Sequence, residues 1–411
     1  MLSEVPLNQD NFIYDRLYGK INFSEADLRL FQTPELTRLR SVSLAAMSFL
    51  TPQPGTCASK FEHSVGVGYL ARLVQAKPEF ASLTPDLYFA ALVHDLGTPP
   101  FSHSSEHFQI KIFGKNHEEY VEEMLGGSEL AREIKKQGGN LSRIVGLVEG
   151  KESPFGDLIN GSIDLDNLDN SLRYGLSLGL FRDYFYSPQE LALAFTMREG
   201  KVALQAPNQQ ALDGWEWTRK VVYEYVYSAD HLSTAAMIFR ALSFAYQGGE
   251  LTPSYFRMSD TDAFNYLTQE CNHKTKALME QMRGWVFYSR VFNLAEPDLP
   301  DTLKAFFTES ESRWLLADRI SEGLRIPPEE VCVWLGKNKG FKKVHLPLID
   351  GEGMAREHAP SQEMSWMAQV FVHPRWVRRA EEVREMVEEV LHEVSQSKTS
   401  QKEMGQPQAS F

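Results

Sequence analysis

The chain has 411 residues, 43% of them apolar, and a formal net charge of −13. That length allows about two to three domains of roughly 100–200 residues each, and no apolar run approaches the ~20 residues that cross a bilayer. The acidic balance disfavours a broad non-specific nucleic-acid surface, so neither a stable DNA or RNA partner nor a membrane partner is expected.

The opening segment, MLSEVPLNQDNF, has neither the basic nor the apolar part of a signal peptide, and a cytoplasmic location is expected. Cys57, Cys271 and Cys332 are far apart and fit neither a CxxC zinc motif nor a disulfide framework, in keeping with a reducing compartment. Most long segments carry helical periodicity and there is no internal repeat, so the fold class is mainly α.

Residues 59–74, SKFEHSVGVGYLARLV, place His63, Val67, Leu70 and Val74 at i, i+4, i+7 and i+11, one stripe of a helix. His63 therefore faces the core. On its own, a histidine in such a stripe is more often a satisfied core residue than a ligand. Thr84 to Gly97 reads as one helix: Thr84 caps it, Pro85 and Asp86 suit its first turn, and Gly97 supplies a left-handed exit. Its middle is apolar nearly all round, the mark of a buried helix. His94 and Asp95 end that helix, where an unpaired carboxylate is costly and requires a hydrogen-bonding partner or a metal. His117, in KNHEEYV, stands at a helix start capped by Asn116.

Residues 160–180, NGSIDLDNLDNSLRYGLSLGL, carry a leucine stripe with Asp166, Asp169, Asn170 and Arg173 on the adjoining face. Were that face solvated, the Asp169–Arg173 pair would contribute only about 0.3–0.5 kcal/mol. Further on, KVALQA reads as a short strand, Trp215 to Ala245 as helical, and the aromatic run YEYVYSADHL as core. KVHLPLI and MAQVFVH alternate like strands and are expected to form a small two-stranded element. It would be joined by an amphipathic helix through Ala380, Val383, Val387, Val390, Leu391 and Val394. From Ser395 the chain is polar and expected to be a disordered tail.

Two histidines and two aspartates on three helices, His63, His94, Asp95 and Asp166, make a plausible octahedral or tetragonal set for manganese, iron, cobalt, nickel or magnesium. Without thiolates a structural zinc site is not expected. The same order is a family signature. KFEHSVGVGYLA followed by HDLGTPPFSH resembles the HD-domain metal-dependent phosphohydrolases, and within them the deoxynucleoside triphosphate triphosphohydrolase branch. The segment LRSVSLAAMSFLTPQPGTCASKFEHS is similar to the family's usual lead-in, and the similarity is strong from Leu36 to Asp183.

The resemblance implies that His63, His94, Asp95 and Asp166 ligate a divalent metal and that His103 and His117 are additional active-site histidines. Lys60 and Arg219 are its candidates for holding phosphate oxygens, and Asn170 and Tyr227 complete the implied substrate-binding set. It implies a helical HD core over 1–187, a helical lobe packed on it over 188–340, a strand pair with a helix over 341–394, a tail over 395–411, and a homo-oligomer. The expected reaction is hydrolysis of a phosphate ester or anhydride of a nucleotide by metal-activated water, with His103 or His117 protonating the leaving oxygen.

Departures from the family pattern bear on substrate choice. Thr98 and Pro99 stand where a histidine and glycine are common, and Asn167, Asn170 and Tyr174 replace a basic residue, a tyrosine and an acid. The substrate is therefore open among nucleoside triphosphates, monophosphates, modified nucleotides and other phosphorylated metabolites. Two rival readings are a dinuclear-iron HD oxygenase and a non-catalytic nucleotide sensor or scaffold. Against the oxygenase, His103 follows Asp95 by eight residues, as in the triphosphohydrolases.

Overall fold

The structure is a computed structural model that describes residues 11–45, 58–205, 209–338, 344–350, 352–358 and 364–397. Part of the lead-in, Cys57, and residues 398–411 of the expected tail lie outside these. The fold is mainly α, as expected, with nine short strands among the described residues. Cys271 and Cys332 are free and buried. No described helix is long and apolar enough to cross a membrane.

A hairpin opens the described chain: β1 (Phe12–Asp15) pairs antiparallel with β2 (Gly19–Asn22). Its turn is fixed by Asp15, whose Oδ1 accepts the amides of Leu17 and Tyr18 at 2.7 and 3.1 Å. The helix Lys60–Gln75 follows, capped by Ser59 accepting the Glu62 amide. His63, Val67, Leu70 and Val74 are all fully buried, so the predicted stripe is the inner face. Among its neighbours are the helices Asp86–Val93, Pro188–Ala194 and Leu165–Ser177. The last is capped by Asp164, which accepts the Asn167 amide at 2.7 Å.

The expectation for Thr84–Gly97 is corrected at both ends. The helix spans Asp86–Val93 with Pro85 at the cap position and no side-chain cap from Thr84. Asp86 instead accepts the Asn140 amide at 2.8 Å, tying the helix start to a neighbouring segment. Gly97 is not left-handed; it is required because a Cβ there would stand 2.0 Å from the His117 carbonyl oxygen. Two left-handed residues do occur a little later, Phe101 (φ 63°) and Ser102 (φ 49°). The helix His103–Phe113 starts directly after them and ends at Gly114 with φ +69°. Asn116 does cap, exchanging bonds with Glu119, but the capped segment is a turn, and regular helix begins only at Val121.

The expected continuous helical stretch from Trp215 is two helices, Gln209–Val226 and Ala229–Gln247, broken where Ser228 caps the second. Residues Ser395 to Ser397, assigned to the tail, continue the helix Ala380–Ser397. On its buried face this helix presents Val383, Val387, Val390 and Leu391, as predicted.

The strand pair expected near the end of the chain does not form. β7 (Val344–Ile349) lies in a four-stranded sheet with β3 (Phe195–Arg198), β4 (Lys201–Gln205) and β8 (Ala355–His358), running parallel to β4. β9 (Trp366–Val372) is instead the centre of a second sheet, between β5 (Ser289–Glu296) and β6 (Val331–Lys337). The reason is burial: Ala368 to Val372 are all at most 1% exposed. One side of that sheet meets the Ala380–Ser397 helix and the other a core containing Phe371 and Cys332. Covered on both faces, the strand is almost wholly apolar, with Gln369 its one polar side chain, and it is paired along both edges.

The principal core gathers residues from Leu17 to Val222, with Leu346 and Leu348. Because Gly97 marks the contact that holds the His117 turn against the end of the Asp86–Val93 helix, Gly97→Ala is expected to destabilise the protein. A loss of about 1–3 kcal/mol is anticipated, read as a lower urea midpoint with an unchanged m-value.

Candidate metal centre and its surroundings

Four side chains from three places in the fold converge. His63 comes from the second turn of its helix, His94 and Asp95 from the end of the next, and Asp166 from the first turn of Leu165–Ser177. His63, His94 and Asp166 offer ligand atoms all within 4.8 Å of one another. The two Nε2 atoms are 3.2 Å apart, and Asp166 Oδ1 is 2.9 Å from that of His63. Asp95 Oδ2 stands 3.7 and 3.3 Å from the Nε2 atoms of His63 and His94.

The outer nitrogens fix how the rings are used. His94 Nδ1 is 2.8 Å from the Ala91 carbonyl, which accepts only, so Nδ1 carries the proton and Nε2 turns its lone pair inward. His63 Nδ1 is 2.7 Å from Asp169 Oδ1, with the same consequence in the neutral ring. Two inward lone pairs at 3.2 Å repel unless a cation or a proton lies between them. Asp95 Oδ2 is buried without a hydrogen-bond partner, while its Oδ1 accepts from Lys60 Nζ at 2.8 Å and Thr98 Oγ1 at 3.0 Å. An orphaned carboxylate oxygen among inward-facing imidazoles is the donor set a divalent cation satisfies, so the residues present fit the metal. Asp166, 30% exposed at its side chain against 7% or less for the others, marks the open side.

Electrostatics agree with this reading. Burial works against charge on His63, but its hydrogen bonds to the Asp166 and Asp169 carboxylates outweigh it and raise its pKa to about 9 when a proton is the only cation supplied. Burial likewise opposes ionisation of Asp95, and the Lys60 ammonium, His94 and His63 hold its carboxyl well below the usual range.

Behind His63 lies a network on the face that, if solvated, would hold only a weak ion pair. Asp169 and Arg173 are both fully buried, and the guanidinium grips Asp169 through Nε and Nη2 at 2.7 and 2.8 Å. Arg173 Nη1 reaches Asp15 Oδ2 at 2.8 Å, and the Tyr18 hydroxyl donates to Asp169 Oδ2 at 2.7 Å. Although burial disfavours its ionisation, Asp169 is brought down to about 2 by Arg173 and His63. The surface estimate for this pair therefore does not apply. Asp169 follows Asp166 by one helical turn, and that spacing was the available signal.

The two further histidines stand together. His117 Nδ1 bonds Glu106 Oε1, and His103 Nδ1 is 3.1 Å from Glu106 Oε2; the rings are 6.0 Å apart. Glu106 was not singled out in the sequence, though it lies one turn after His103. Burial opposes the charged form of His117, yet the Glu106 carboxylate outweighs it and lifts the imidazole to about 9. His103 is largely exposed, its side chain 68% accessible.

The candidate substrate residues divide. Asn170 Nδ2 is 3.4 Å from Asp166 Oδ1, beside the centre. Arg219 is buried, donates from Nη1 to Asn167 Oδ1 at 2.9 Å and keeps a buried Nε without a partner. Lys60 is committed to Asp95. Tyr227 is directed elsewhere: its hydroxyl donates to the Lys337 carbonyl at 3.3 Å and its ring meets Trp334 edge-on.

If Asp169 sets the His63 ring, Asp169→Asn should weaken divalent-cation binding about 10–100-fold, as measured by competition against a chelating dye. Unaltered affinity in a folded variant would show that the ring is oriented without it.

Comparison with known proteins bears on these residues. Residues 61–169 match the HD domain family, a stretch holding His63, His94, Asp95, Asp166 and Asp169. The chain is 23% identical over 404 residues to the uncharacterized protein MJ1154 of Methanocaldococcus jannaschii, covering 93% of this chain and 84% of that one. Over 99 residues it is 39% identical to the deoxynucleoside triphosphate triphosphohydrolase SAMHD1 of Bos taurus; the match covers 22% of this chain and spans only 17% of that relative's length. In fold it is similar to a hypothetical protein from Aquifex aeolicus, with TM-score 0.70, 20% identity and coverage of 91% and 99%. A phosphohydrolase from Bacteroides thetaiotaomicron gives 0.64, 18%, 88% and 99%. Residues 61–169 thus carry an HD domain, and the helical fold around it is similar to those two solved structures.

Proposed function

We propose that this chain hydrolyses a phosphate ester or anhydride of a nucleotide, with deoxynucleoside triphosphates among its candidate substrates. The observation that carries the reading is the buried donor set, with two imidazole Nε2 atoms facing each other and an orphaned Asp95 oxygen, lying in the same domain as the His117–Glu106 pair. His63, His94, Asp95 and Asp166 would hold a divalent cation. Such a cation acidifies a bound water and neutralises phosphoryl oxygen charge. Similarity to a deoxynucleoside triphosphate triphosphohydrolase over 22% of the chain supports the substrate class.

The chain's own groups supply the rest. His117, held protonated by Glu106, donates to the leaving oxygen, and His103 shares that carboxylate from the solvent side. Arg219, with an unpartnered Nε, offers a fixed cation for a phosphate oxygen. Lys60 orients Asp95 and contributes its charge from there. Asn170 steadies the partly buried Asp166 carboxylate.

The test is release of phosphate, pyrophosphate or triphosphate from a panel of nucleoside mono-, di- and triphosphates with manganese, cobalt, nickel, iron or magnesium. His94→Ala and Asp95→Ala should bind the cation poorly and fall to background. Metal bound with nothing hydrolysed would turn the reading to a nucleotide sensor or an oxygenase; no metal bound would remove it.

A pH profile adds a second check. The donor is the protonated form of His117, so activity should fall as pH rises through about 9. His117→Gln should lose that limb and about 10²–10⁴-fold of kcat.

A further inference from the structure

The turn between Asp95 and His103 is held from a distance. Phe101 and Ser102 both have positive φ, and Ser102, at φ 49° and ψ −128°, adopts the first central position of a type II′ turn, which favours glycine. Neither residue is glycine, so the conformation is strained and persists only if its surroundings impose it.

Those surroundings centre on Asp260, in the helix Asp260–Gln269 far along the chain. Its Oδ1 accepts the Phe101 amide at 2.8 Å and its Oδ2 the Ser43 amide at 2.9 Å. Its own amide donates to the Ser41 carbonyl at 2.9 Å. Arg38 ties the same parts together, donating to the carbonyls of Leu96 (2.7 Å), Thr98 (3.0 Å) and Met258 (3.3 Å). Ser102 Oγ donates to the Ser43 carbonyl at 2.7 Å.

The carboxylate is not spent on its own helix, which Ser259 caps by accepting the Asp262 amide. Asp260 is 2% exposed and has no ion-pair partner within 4 Å among the described residues, the Arg38 charge acting on it from farther off. A buried carboxylate so placed is costly unless its hydrogen bonds are needed.

We propose that Asp260 is a positioning residue for the histidine pair. By joining the Phe101 and Ser43 amides it holds the left-handed turn that starts the His103 helix, and so sets where His103, Glu106 and His117 stand. The segment carrying Asp260 thereby acts on the candidate active site without touching substrate. Its catalytic consequence rests on the phosphohydrolase reading; its structural consequence does not.

The experiment compares the full chain with Asp260→Asn, which offers a donor where one of the two amides needs an acceptor. Hydrogen exchange across residues 97–106 should quicken by about tenfold or more, while the Lys60–Gln75 and Leu165–Ser177 helices keep their protection and metal affinity is retained. The imidazole resonances of His103 and His117 should move, and kcat should fall about 10–100-fold with KM retained. Adding Ser102→Gly, which relieves the positive φ, should restore much of the protection, the resonances and the rate.

Exchange and resonances unchanged in Asp260→Asn, or loosening spread evenly through the protein with no rescue by Ser102→Gly, would overturn the inference. Should Asp260→Asn fail to fold, Asp260→Glu, which keeps the charge but displaces the oxygens, takes its place with the same expectations. If the native chain hydrolyses nothing on the panel, the functional reading fails, and exchange and resonances still decide the role of Asp260.

Discussion

The bond between His63 Nδ1 and Asp169 orders much of what surrounds it. It turns one imidazole lone pair toward the centre, and it brings a second carboxylate of the Leu165–Ser177 helix beneath the ring, fully buried. A buried carboxylate needs compensation. Arg173 supplies it from the next turn, and Arg173 in turn needs Asp15, so the N-terminal hairpin is drawn onto the back of the site. The demand reaches the sequence as a glycine. A Cβ at Gly66 would lie 2.3 Å from Arg173 Nη2 and 2.4 Å from Asp169 Oδ2, so the helix bearing His63 must be bare one turn beyond it.

A division of charge follows. Around the centre, carboxylates outnumber fixed cations and the inner donors face one another, an arrangement that a bound cation stabilises. Glu106 serves the opposite purpose, with two histidines on one carboxylate and the more buried of them kept protonated. The proposed acid and cation sites thus differ by what backs each imidazole: a carbonyl or a salt-bridged carboxylate at the candidate centre, and a glutamate without a lysine or arginine ion pair among the described residues at the pair.

Much of the site was legible because its residues sit where local pattern and chemistry disagree. His63 interrupts an apolar stripe, and His94 and Asp95 end a helix with no polar face; such conflicts mark positions fixed by something other than packing. Glu106, Asp15, Tyr18 and Asp260 were not legible, since each looks like an ordinary polar surface residue and gains its meaning from partners 11, 158, 151 and 159 positions away. Gly97 was read as a helix exit when the constraint was the approach of a distant carbonyl. The strands show the same limit. β9 displays its alternation locally, but which strands flank it depends on segments that periodicity cannot pair.

The placement of β9 also orders events in time. It is the central strand of its sheet, and its partners begin at Ser289 and Val331, so neither edge can pair until the chain has been made through Val372. The principal core likewise waits for Leu346 and Leu348. All four candidate ligands have emerged by Asp166, more than two hundred residues before the last described helix ends. Long-range pairings of this kind form slowly and leave unpaired edges exposed meanwhile. A growing chain therefore carries its candidate ligands for much of its synthesis before the later segments that complete the principal core are present.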